Sequence, residues 1–187
     1  MGGREKALIE LGGEPLIARI VRRLAPQVRD VIVSASGDPA RLAFLGRPVV
    51  PDPVPGFAGP LAGILAGLDW AAARALDCPY VLSVPVDVPF LPPDLAERFL
   101  AALRGGGTDL VCAASGGRPH PVIALWPVGL RKALGEAISS GAARVDRFTA
   151  AYHLAEVAYE TRPVDPFFNI NSPDDLAEAE RLIAAQA

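Results

Sequence analysis

Two aspartates follow short apolar runs, at places where the end of a β-strand can hold a carboxylate rigidly. Asp87 follows the run 80–86 and precedes Val88-Pro89, so a stiff backbone would fix its carboxylate. Fixed carboxylate oxygens are the ligands that the hard cation Mg²⁺ requires. The alternative is a structural aspartate that bonds the amides of the next loop. Asp52 likewise ends the apolar run 48–51, and its alternative is an acid that solvates a loop.

Three further features have side chains or backbone that could bind an anion or a substrate. Lys6 precedes an apolar pair, where its ammonium could meet phosphates or simply be solvated. The segment Gly59–Gly63 opens a predicted helix with small residues, which suits backbone contact with a ligand but also serves turns and close packing. His120 lies between Pro119 and Pro121, a rigid setting for either recognition or structure.

Covalent catalysis has no support in the sequence. There is no G-x-S-x-G motif, and no cysteine and histidine have the sequence spacing of a known nucleophile–base pair. Cys78 and Cys112 lack a CxxC or Cys/His cluster, which excludes a sequence-visible zinc or iron–sulfur site and a disulfide framework. Direct transfer between two bound substrates is therefore favoured. Two isolated cysteines also fit a reducing cytosol, so we expect a cytoplasmic protein.

Helices and strands alternate along the chain that must position these residues. Predicted helices cover 15–24, 39–45, 60–76, 92–103, 128–139, 145–152 and 173–185, and predicted strands cover 30–34, 48–51, 79–86, 110–114, 121–126 and 154–159. Such alternation implies βαβ units and a sheet covered on both faces. The predicted fold is α/β, a Rossmann-like three-layer α/β/α sandwich with a mostly parallel sheet. Ligands bind at the carboxyl ends of such strands, where Asp52 and Asp87 lie.

Length and composition favour one domain over residues 1–187. The chain is 51% hydrophobic, and 18 Lys+Arg against 21 Asp+Glu give a net charge of -3, which argues against nucleic acid as a partner. The apolar stretch 58–68 is too short and too interrupted by proline and glycine to cross a membrane. No signal peptide opens the chain, so we expect a soluble protein without a membrane partner.

Six motifs in a fixed order carry a resemblance to a known family. They are MGGREKALIELGGEPL at 1–16, PD at 51–52, GPLAG at 59–63, VPVDVPFL at 84–91, HPVIAL at 120–125 and FFNINSPDDL at 167–176. Through these motifs the chain resembles, over almost its whole length, the molybdenum cofactor guanylyltransferases, usually called MobA. These are nucleotidyltransferases of glycosyltransferase-A-like fold. The last two motifs separate the chain from the related cytidylyltransferases that act on the same pterin.

The resemblance implies an enzyme that transfers GMP from GTP to molybdopterin carrying molybdenum. The products would be the guanine dinucleotide form of the cofactor and pyrophosphate, and Mg²⁺ would be the metal. A phosphate oxygen of molybdopterin would attack the α-phosphorus of GTP in line. The resemblance also implies transient contacts with molybdenum-insertion proteins and with molybdoenzyme chaperones.

The resemblance further implies roles for single residues. Lys6 would act in catalysis at the nucleotide phosphates, and Asp87 would contact GTP and hold Mg²⁺. The implied nucleotide-binding residues are Lys6, Ser34, Asp52, Gly59, Pro60, Leu61 and Asp87, and the implied pterin-binding residues are His120, Arg144, Asn169 and Asn171. Ser34 stands where some relatives have Asn, which shortens the side chain and removes its amide. Arg144 suits bidentate phosphate contact, and the two asparagines suit the polar pterin edge.

The resemblance has one gap, at the N-terminus. Relatives carry a first strand and a Gly-rich L-A-G-G-x-S-x-R loop immediately before the motif that begins here at Met1. Backbone N–H groups of such a loop bind nucleotide phosphates. We expect that upstream residues exist in the native protein, with a fragment or a degenerate relative as alternatives. Two other functions stay open: a cytidylyl- or sugar-phosphate nucleotidyltransferase, and a non-catalytic carrier of pterin or nucleotide.

Overall fold

Short strands and amphipathic helices alternate throughout the computed structural model, which describes residues 6–53, 59–141 and 144–185. The strands are β1 (Glu10–Leu11), β2 (Glu14–Pro15), β3 (Val33–Ser34), β4 (Val49–Val50), β5 (Tyr80–Ser83), β6 (Leu110–Ser115), β7 (Arg118–Pro127) and β8 (Leu154–Tyr159). The α-helices are α1 (Leu16–Leu24), α2 (Pro60–Arg74), α3 (Leu95–Arg104), α4 (Arg131–Ser139), α5 (Val145–Thr149) and α6 (Pro173–Ala184). Short 3₁₀ helices cover Lys6–Leu8, Pro39–Leu45 and Val128–Leu130.

The main sheet is mixed and has the strand order β5-β7-β6-β8. Strand β7 is antiparallel to both β5 and β6, whereas β6 and β8 are parallel. A separate parallel pair joins β3 to β4, and β1 and β2 form a small antiparallel hairpin. The predicted α/β fold with parallel strands is thus confirmed, but the sheet is mixed rather than mostly parallel, because a tight hairpin joins β6 directly to β7 and reverses the chain.

That hairpin also corrects one predicted boundary. Strand β7 begins at Arg118, three residues before the predicted start at Pro121, and Arg118 pairs with Ser115. Gly116 and Gly117 have φ angles of 55° and 73°, so two residues that tolerate positive φ complete the turn. Other predicted elements are shorter than expected: β3 begins only at Val33 although the predicted run was 30–34, β5 lies within the run 79–86, and α5 ends at Thr149 rather than at residue 152.

Two apolar clusters cover the two faces of the main sheet and make the predicted three layers. On one face, α1 and α3 contribute Ile20, Leu24, Leu95 and Phe99 against Val111, Ala113, Ile123 and Leu125. On the other face, α2, α4 and α5 contribute Leu61, Leu65, Leu134 and Phe148 against Leu110, Cys112, Ala124 and Trp126. Alternate residues of β6 therefore serve opposite clusters, as the pleat of a strand requires. Packing on both faces leaves the ends of the strands open for a site.

Helix α6 closes the described chain, and it begins at Pro173, as the sequence predicts. The Ser172 hydroxyl accepts a hydrogen bond from the Asp175 N–H, the Asp175 carboxylate accepts from the Ser172 N–H, and Pro173 opens the helix. This capping box satisfies N–H groups that otherwise lack partners at a helix start. Among the described residues, no helix is long and apolar enough to cross a bilayer.

Candidate active site

Three polar side chains that are far apart in sequence meet at the carboxyl end of β5. The Lys6 ammonium donates to Asp87 Oδ2 at 3.1 Å and to Asn171 Oδ1 at 2.6 Å. Lys6 lies in a single 3₁₀ turn, Asp87 lies four residues beyond β5, and Asn171 directly precedes the N-cap of α6. Side chains from both ends of the chain therefore converge on one aspartate, and the arrangement combines a cation, a carboxylate and an amide.

Backbone bonds hold the Asn171 segment against this aspartate. The Ile170 N–H donates to the Asp87 carbonyl at 2.9 Å, and Ile170 is fully buried beneath the site. The Asn171 and Ser172 N–H groups both donate to Asp175 Oδ2, at 2.9 and 2.8 Å. These donors, led by the Asn171 N–H, lower the pKa of the Asp175 carboxyl below its ordinary value. The cap of α6 thus fixes the position from which the Asn171 side chain reaches Lys6.

The Asp87 carboxylate has a free oxygen that suits a divalent cation. Its Oδ1 is buried and has no hydrogen-bond partner among the described residues, while Oδ2 bonds Lys6. Its side chain is 16% exposed. Over residues 6–53, 59–141 and 144–185, no cluster of three or more His, Cys, Asp or Glu side chains could hold a metal by itself. One carboxylate from the protein suits Mg²⁺, which commonly takes its other ligands from substrate phosphates and water.

The carboxylate of Asp52 lies in a cleft that Lys6 also lines. The Ser34 hydroxyl donates to Asp52 Oδ1 at 2.7 Å. This hydrogen bond connects the last residue of β3 to the loop that follows β4. Lys6, Ser34 and Asp52 line one cavity of about 700 Å³. The opposite wall comes from α2, where a Cβ on Gly63 would lie 3.5 Å from the Ser34 hydroxyl oxygen. The absence of a side chain at Gly63 therefore keeps this end of the cavity open.

The start of α2 presents backbone rather than side chains to this cleft. Gly59 is the N-cap and Pro60 the first helical residue, so the first N–H groups of a 15-residue helix are directed outward. Leu61 is fully buried in the cluster beneath α2. A ligand at this helix start would meet the backbone of Leu61, since its side chain belongs to the core.

Arg144 lines a smaller, separate concavity. This pocket of about 580 Å³ is formed by Gly117, Arg118, Pro119, Pro121, Val122, Arg144, Val145, Asp146 and Pro60. Arg144 donates to both carboxylate oxygens of Asp146, at 3.0 and 2.6 Å, which lowers the pKa of that carboxyl and raises the pKa of the guanidinium. Pro60 and Val122 also line the larger cavity, so the two concavities adjoin.

His120 belongs to a partly buried polar cluster on the other face of β7. Its Nε2 lies 2.8 Å from the Ser115 hydroxyl, which also donates to Asp165 Oδ2 at 3.1 Å. The imidazole packs against Phe167, with ring centroids 5.1 Å apart. Burial lowers the pKa of His120, although the nearby Asp165 carboxylate acts in the opposite direction. The ring is therefore partly buried and held by a hydroxyl and an aromatic neighbour, which is a structural setting.

Comparison with known proteins assigns the chain to a family. Residues 1–157 match the MobA-like NTP transferase domain. The chain is 53% identical to the molybdenum cofactor guanylyltransferase of Bradyrhizobium sp. (strain ORS 278) over 187 residues, which covers all of this chain and 88% of that protein. The corresponding protein of Cereibacter sphaeroides is 46% identical, with 100% and 92% covered. The chain belongs to the molybdenum cofactor guanylyltransferase family. The resemblance noted from its motifs is thus confirmed, and the chain is a nucleotidyltransferase.

Solved structures show that this guanylyltransferase family member has a nucleotidyltransferase fold. Molybdopterin-guanine dinucleotide biosynthesis protein A from Archaeoglobus fulgidus superimposes with a TM-score of 0.75 at 23% identity, over 98% of this chain and 92% of that one. The 2-C-methyl-D-erythritol 4-phosphate cytidylyltransferase from Thermus thermophilus superimposes with a TM-score of 0.67 at 24% identity, with 96% and 94% covered. At these identities the likeness concerns the fold alone.

The structure brings some of the predicted site residues together and separates others. Lys6, Asp87 and Asn171 form one cluster, although the family resemblance implied that Asn171 binds the pterin. Arg144 lies in the adjoining pocket, His120 lies across the sheet from that pocket, and Asn169 is exposed. The first five residues of the N-terminal motif lie outside the described residues.

Three polar neighbours of the predicted residues were missed at the sequence level. Asp146 pairs with Arg144, Arg118 lines the same pocket, and Asp165 bonds Ser115 beside His120. A signal existed for the first two: Asp146 is two residues from Arg144, and Arg118 is two residues from His120. No local signal connects Asp165 to Ser115, because 50 residues separate them.

Proposed function

We propose that this guanylyltransferase family member transfers GMP from GTP to molybdopterin bearing molybdenum, and that it forms the guanine dinucleotide cofactor and pyrophosphate. The observation that carries the proposal is the Lys6–Asp87 pair. Lys6 lines a cleft that adjoins an arginine pocket, and its partner Asp87 keeps one carboxylate oxygen without a hydrogen-bond partner among the described residues. A cation in the cleft, with a carboxylate beside it, suits a reaction that joins two anionic substrates.

The nucleotide would occupy the larger cleft. Its walls include the Lys6 ammonium, the Ser34–Asp52 pair and the start of α2. An ammonium and a helix N-terminus both attract phosphate groups, and an aspartate can accept hydrogen bonds from a ribose or a base. In this proposal Gly59, Pro60 and Leu61 contribute through the backbone. Ser34, which is shorter than the Asn of some relatives, would act by orienting Asp52.

The pterin would occupy the adjoining pocket. Arg144 and Arg118 supply the positive charge that a terminal phosphate needs, and the pocket meets the nucleotide cleft at Pro60 and Val122. The Asp146 carboxylate now holds Arg144 and would exchange that partner for the phosphate. Asn171 and the exposed Asn169 stand on the segment that borders Lys6, which suits contact with the polar edge of the pterin. His120 would support this side through the strand that carries Arg118.

The reaction would then need positioning and charge neutralisation, with no protein nucleophile. A terminal phosphate oxygen of molybdopterin forms a bond to the α-phosphorus of GTP, and the bond from that phosphorus to the bridging oxygen of pyrophosphate breaks. Lys6 would stabilise negative charge on the transferred group, and Asn171 would orient the ammonium. Asp87 would hold a divalent metal, for which we propose Mg²⁺, through Oδ1. When bound, that metal supplies a Lewis acid for the phosphate oxygens.

Nucleotide selectivity separates this function from the transfer of CMP. The cytidylyltransferase of Thermus thermophilus has the same fold, so the fold does not distinguish GTP from CTP. We therefore propose to measure pyrophosphate release from GTP and from CTP, each with molybdopterin and MgCl₂. Release with GTP that depends on molybdopterin is the expected result. Release with CTP alone would indicate a cytidylyltransferase.

Nucleotide-dependent thermal stabilisation completes the test, because a ligand that binds only the folded state raises the melting temperature. We expect stabilisation by GTP with Mg²⁺ and a smaller effect of CTP. Stabilisation without any pyrophosphate release would favour the non-catalytic carrier. The proposed setting is the cytoplasm, with molybdenum-insertion proteins and molybdoenzyme chaperones as transient partners, and with neither nucleic acid nor membrane bound.

A further inference from the structure

The segment 165–171 contacts the β6–β7 hairpin at one end and the Lys6–Asp87 pair at the other, and it contains neither helix nor strand. At the second end, the Ile170 N–H donates to the Asp87 carbonyl at 2.9 Å. The next residue, Asn171, accepts a hydrogen bond from the Lys6 ammonium. Irregular backbone lacks the regular hydrogen bonds of a helix or sheet, so its position depends on the contacts at its ends. The contacts at the hairpin end therefore bear on the candidate active site.

The Asp165 carboxylate attaches the segment to the hairpin through both of its oxygens. Its Oδ1 accepts from the Phe167 N–H at 2.9 Å, which closes a turn within the segment. Its Oδ2 accepts from the Ser115 hydroxyl at 3.1 Å, which joins that turn to the end of β6. Ser115 is only 4% exposed, so its hydroxyl must find its hydrogen-bond partners inside the protein. The second partner is His120 Nε2, at 2.8 Å. We call Ser115, His120 and Asp165 the Asp165 network.

Aromatic packing supports the same junction. The Phe167 ring lies 5.1 Å, between ring centroids, from the His120 ring and also 5.1 Å from the Tyr159 ring. Phe167 is 3% exposed, so the segment carries a buried anchor next to its polar attachment. His120 therefore contacts the segment twice, through the Ser115 hydroxyl and through the Phe167 ring.

The number of protons in the Asp165 network determines the tautomer of His120. An ionised carboxylate only accepts hydrogen bonds, so the single proton of the Ser115 hydroxyl is donated to Asp165. The Ser115 oxygen can then only accept from His120, and Nε2 must carry the proton that is donated. In the neutral ring Nδ1 is left unprotonated. Donation thus runs in one direction, from the imidazole through the hydroxyl to the carboxylate.

We propose that the Asp165 network positions the segment 165–171 for the transfer reaction, with His120 held as the Nε2–H tautomer. Its three members are positioning residues, which act on Asn171 through the backbone of the segment. The same hairpin carries Arg118 to the smaller concavity, so the network connects the two concavities that the reaction would join. The effect on turnover rests on the proposed function, whereas the tautomer and the position of the segment do not.

Nitrogen-15 NMR of the histidine rings tests the tautomer, because protonated and unprotonated ring nitrogens have well-separated chemical shifts. The chain has two histidines, and the exposed His153 serves as the internal control. Spectra at about pH 8.5 report on the neutral ring of His120, since burial lowers its pKa. In wild type we expect a protonated Nε2 and an unprotonated Nδ1. The opposite tautomer would overturn the proposal.

Asp165→Asn should reverse the direction of donation. The amide oxygen of the new side chain should stay with the Phe167 N–H, because two donors cannot face each other, and its NH₂ group should then face Ser115. The Ser115 proton must therefore go to His120 Nε2, which can accept it only when unprotonated. We expect His120 to change to the Nδ1–H tautomer in this variant, while the signals of His153 stay the same. An unchanged His120 tautomer would contradict the network.

Amide hydrogen exchange tests whether the network positions the segment. Ser115→Ala removes the hydroxyl that joins Asp165 to the hairpin. We expect the Ile170 amide, at the other end of the segment, to exchange at least about tenfold faster in this variant. The Ala35 amide, which bonds β4, is the internal control, and Ser139→Ala, which removes an exposed hydroxyl on α4, is the matched variant. Equal exchange of the Ile170 amide in wild type and Ser115→Ala would show that the network does not hold the segment.

Two variants of His120 separate its hydrogen bond from its ring. The amide of His120→Gln can still reach Ser115 and donate to it, whereas the amide of His120→Asn is too short. In the pyrophosphate assay with GTP and MgCl₂, His120→Asn should lower kcat/KM for molybdopterin roughly tenfold, and His120→Gln should stay within about threefold of wild type. Equal losses in the two variants would exclude positioning through this hydrogen bond.

The combined results distinguish a failure of the network from a failure of the proposed function. If wild type releases no pyrophosphate with either nucleotide, the proposed function is wrong, and the NMR and exchange experiments still decide whether the network holds the segment. If wild type is active and His120→Asn is equally active, the network serves the fold alone and its role in the reaction is disproved.

Discussion

At the scale of single residues, the site depends on a pair with unequal exposure. The Lys6 side chain is 37% exposed and the Asp87 side chain 16%, so the ammonium can turn toward a substrate while the carboxylate stays in place. Long lysine side chains adapt in this way because their charge ends a flexible stem. Asp87 is held by the Ile170 N–H through its own backbone, which leaves both carboxylate oxygens for Lys6 and a metal. Removal of this carboxylate should therefore affect chemistry more than folding.

We predict that Asp87→Asn lowers the rate of pyrophosphate release by about 100-fold, the magnitude expected when one charge-stabilising group is lost. The melting temperature should fall by less than about 4 °C, since one partly exposed ion pair contributes little to stability. Glu160→Gln, which removes an exposed carboxylate that lines neither cavity, is the matched control. Full activity of Asp87→Asn at limiting Mg²⁺ would disprove the metal role.

The Arg144–Asp146 pair gives a second prediction at this scale. Arg144→Ala should raise the KM for molybdopterin by about tenfold, the loss expected for a hydrogen bond to a charged group. Asp146→Asn should lower that KM, because the guanidinium no longer has an internal carboxylate as competitor. Stabilisation by GTP should be unchanged in both variants. If Arg144→Ala instead weakens GTP stabilisation and leaves the KM for molybdopterin unchanged, the assignment of the two concavities is reversed.

At the scale of elements, the start of α6 is the part that connects folding to the site. Its capping box holds Ser172 and Asp175, and the residue before the cap is Asn171, which reaches Lys6. A substitution in the cap should therefore shift Asn171, although the cap residues themselves do not contact a substrate. The hairpin between β6 and β7 has a comparable role, since its second strand carries Arg118 to the pocket of Arg144.

Ser172→Ala should destabilise the protein by about 1 kcal/mol, the usual cost of removing an N-cap side chain. Equilibrium unfolding in urea measures this change. Ser172→Asp, which can still accept the N–H bond, should recover most of the stability. Loss of activity well beyond the change in folded fraction would show that the cap also positions Asn171. Unchanged stability of Ser172→Ala would contradict the capping box.

The low pKa of Asp175 gives a pH dependence with a definite sign. A carboxyl whose pKa is lower in the folded state contributes stability above its ordinary pKa of 3.8, and it loses that contribution as pH falls through the folded value. We expect wild type to be more stable than Asp175→Asn at pH 6 and the difference to shrink steadily below pH 4. Parallel stability curves of the two proteins down to pH 2 would contradict this mechanism.

At the scale of the whole molecule, the main sheet separates two apolar clusters, and one of them contains a cysteine. Cys112 lies in the middle of β6, is fully buried, and packs with Trp126 between α2 and α4. Burial raises the pKa of its thiol to about 11, so the reactive thiolate is scarce at neutral pH. Cys78 is only half-buried and lines the large cavity.

The alkylation rates of the two thiols should therefore differ, because only Cys112 requires the core to open before it can react. Iodoacetamide at pH 8 should modify Cys78 in the native protein, whereas modification of Cys112 should require opening of the core. Labelling of Cys78→Ser measures Cys112 alone, and GTP should slow it because nucleotide binding stabilises the folded state. Mass spectrometry of the labelled chain assigns the sites. Fast modification of Cys112 without denaturant would show that the centre of the sheet opens locally.

The sequence alone determined the local features of this protein, because their signals lie within a few residues. Local pattern predicted α1, α2 and the start of α6 at residue 173, and the motif order predicted the family. Asp87 was identified because a strand and a proline flank it. Such features depend on backbone propensity and on neighbours along the chain, both of which a single sequence contains.

The tertiary structure alone decided which of these features meet. Asn171 joins Lys6 across 165 positions, and Asp165 reaches Ser115 across 50. Strand β7 lies between β5 and β6, both of which precede it in the chain, and no local pattern predicts that order. These outcomes depend on long-range packing and strand order. Many arrangements of the same local elements bury similar apolar area, so local pattern does not select among them.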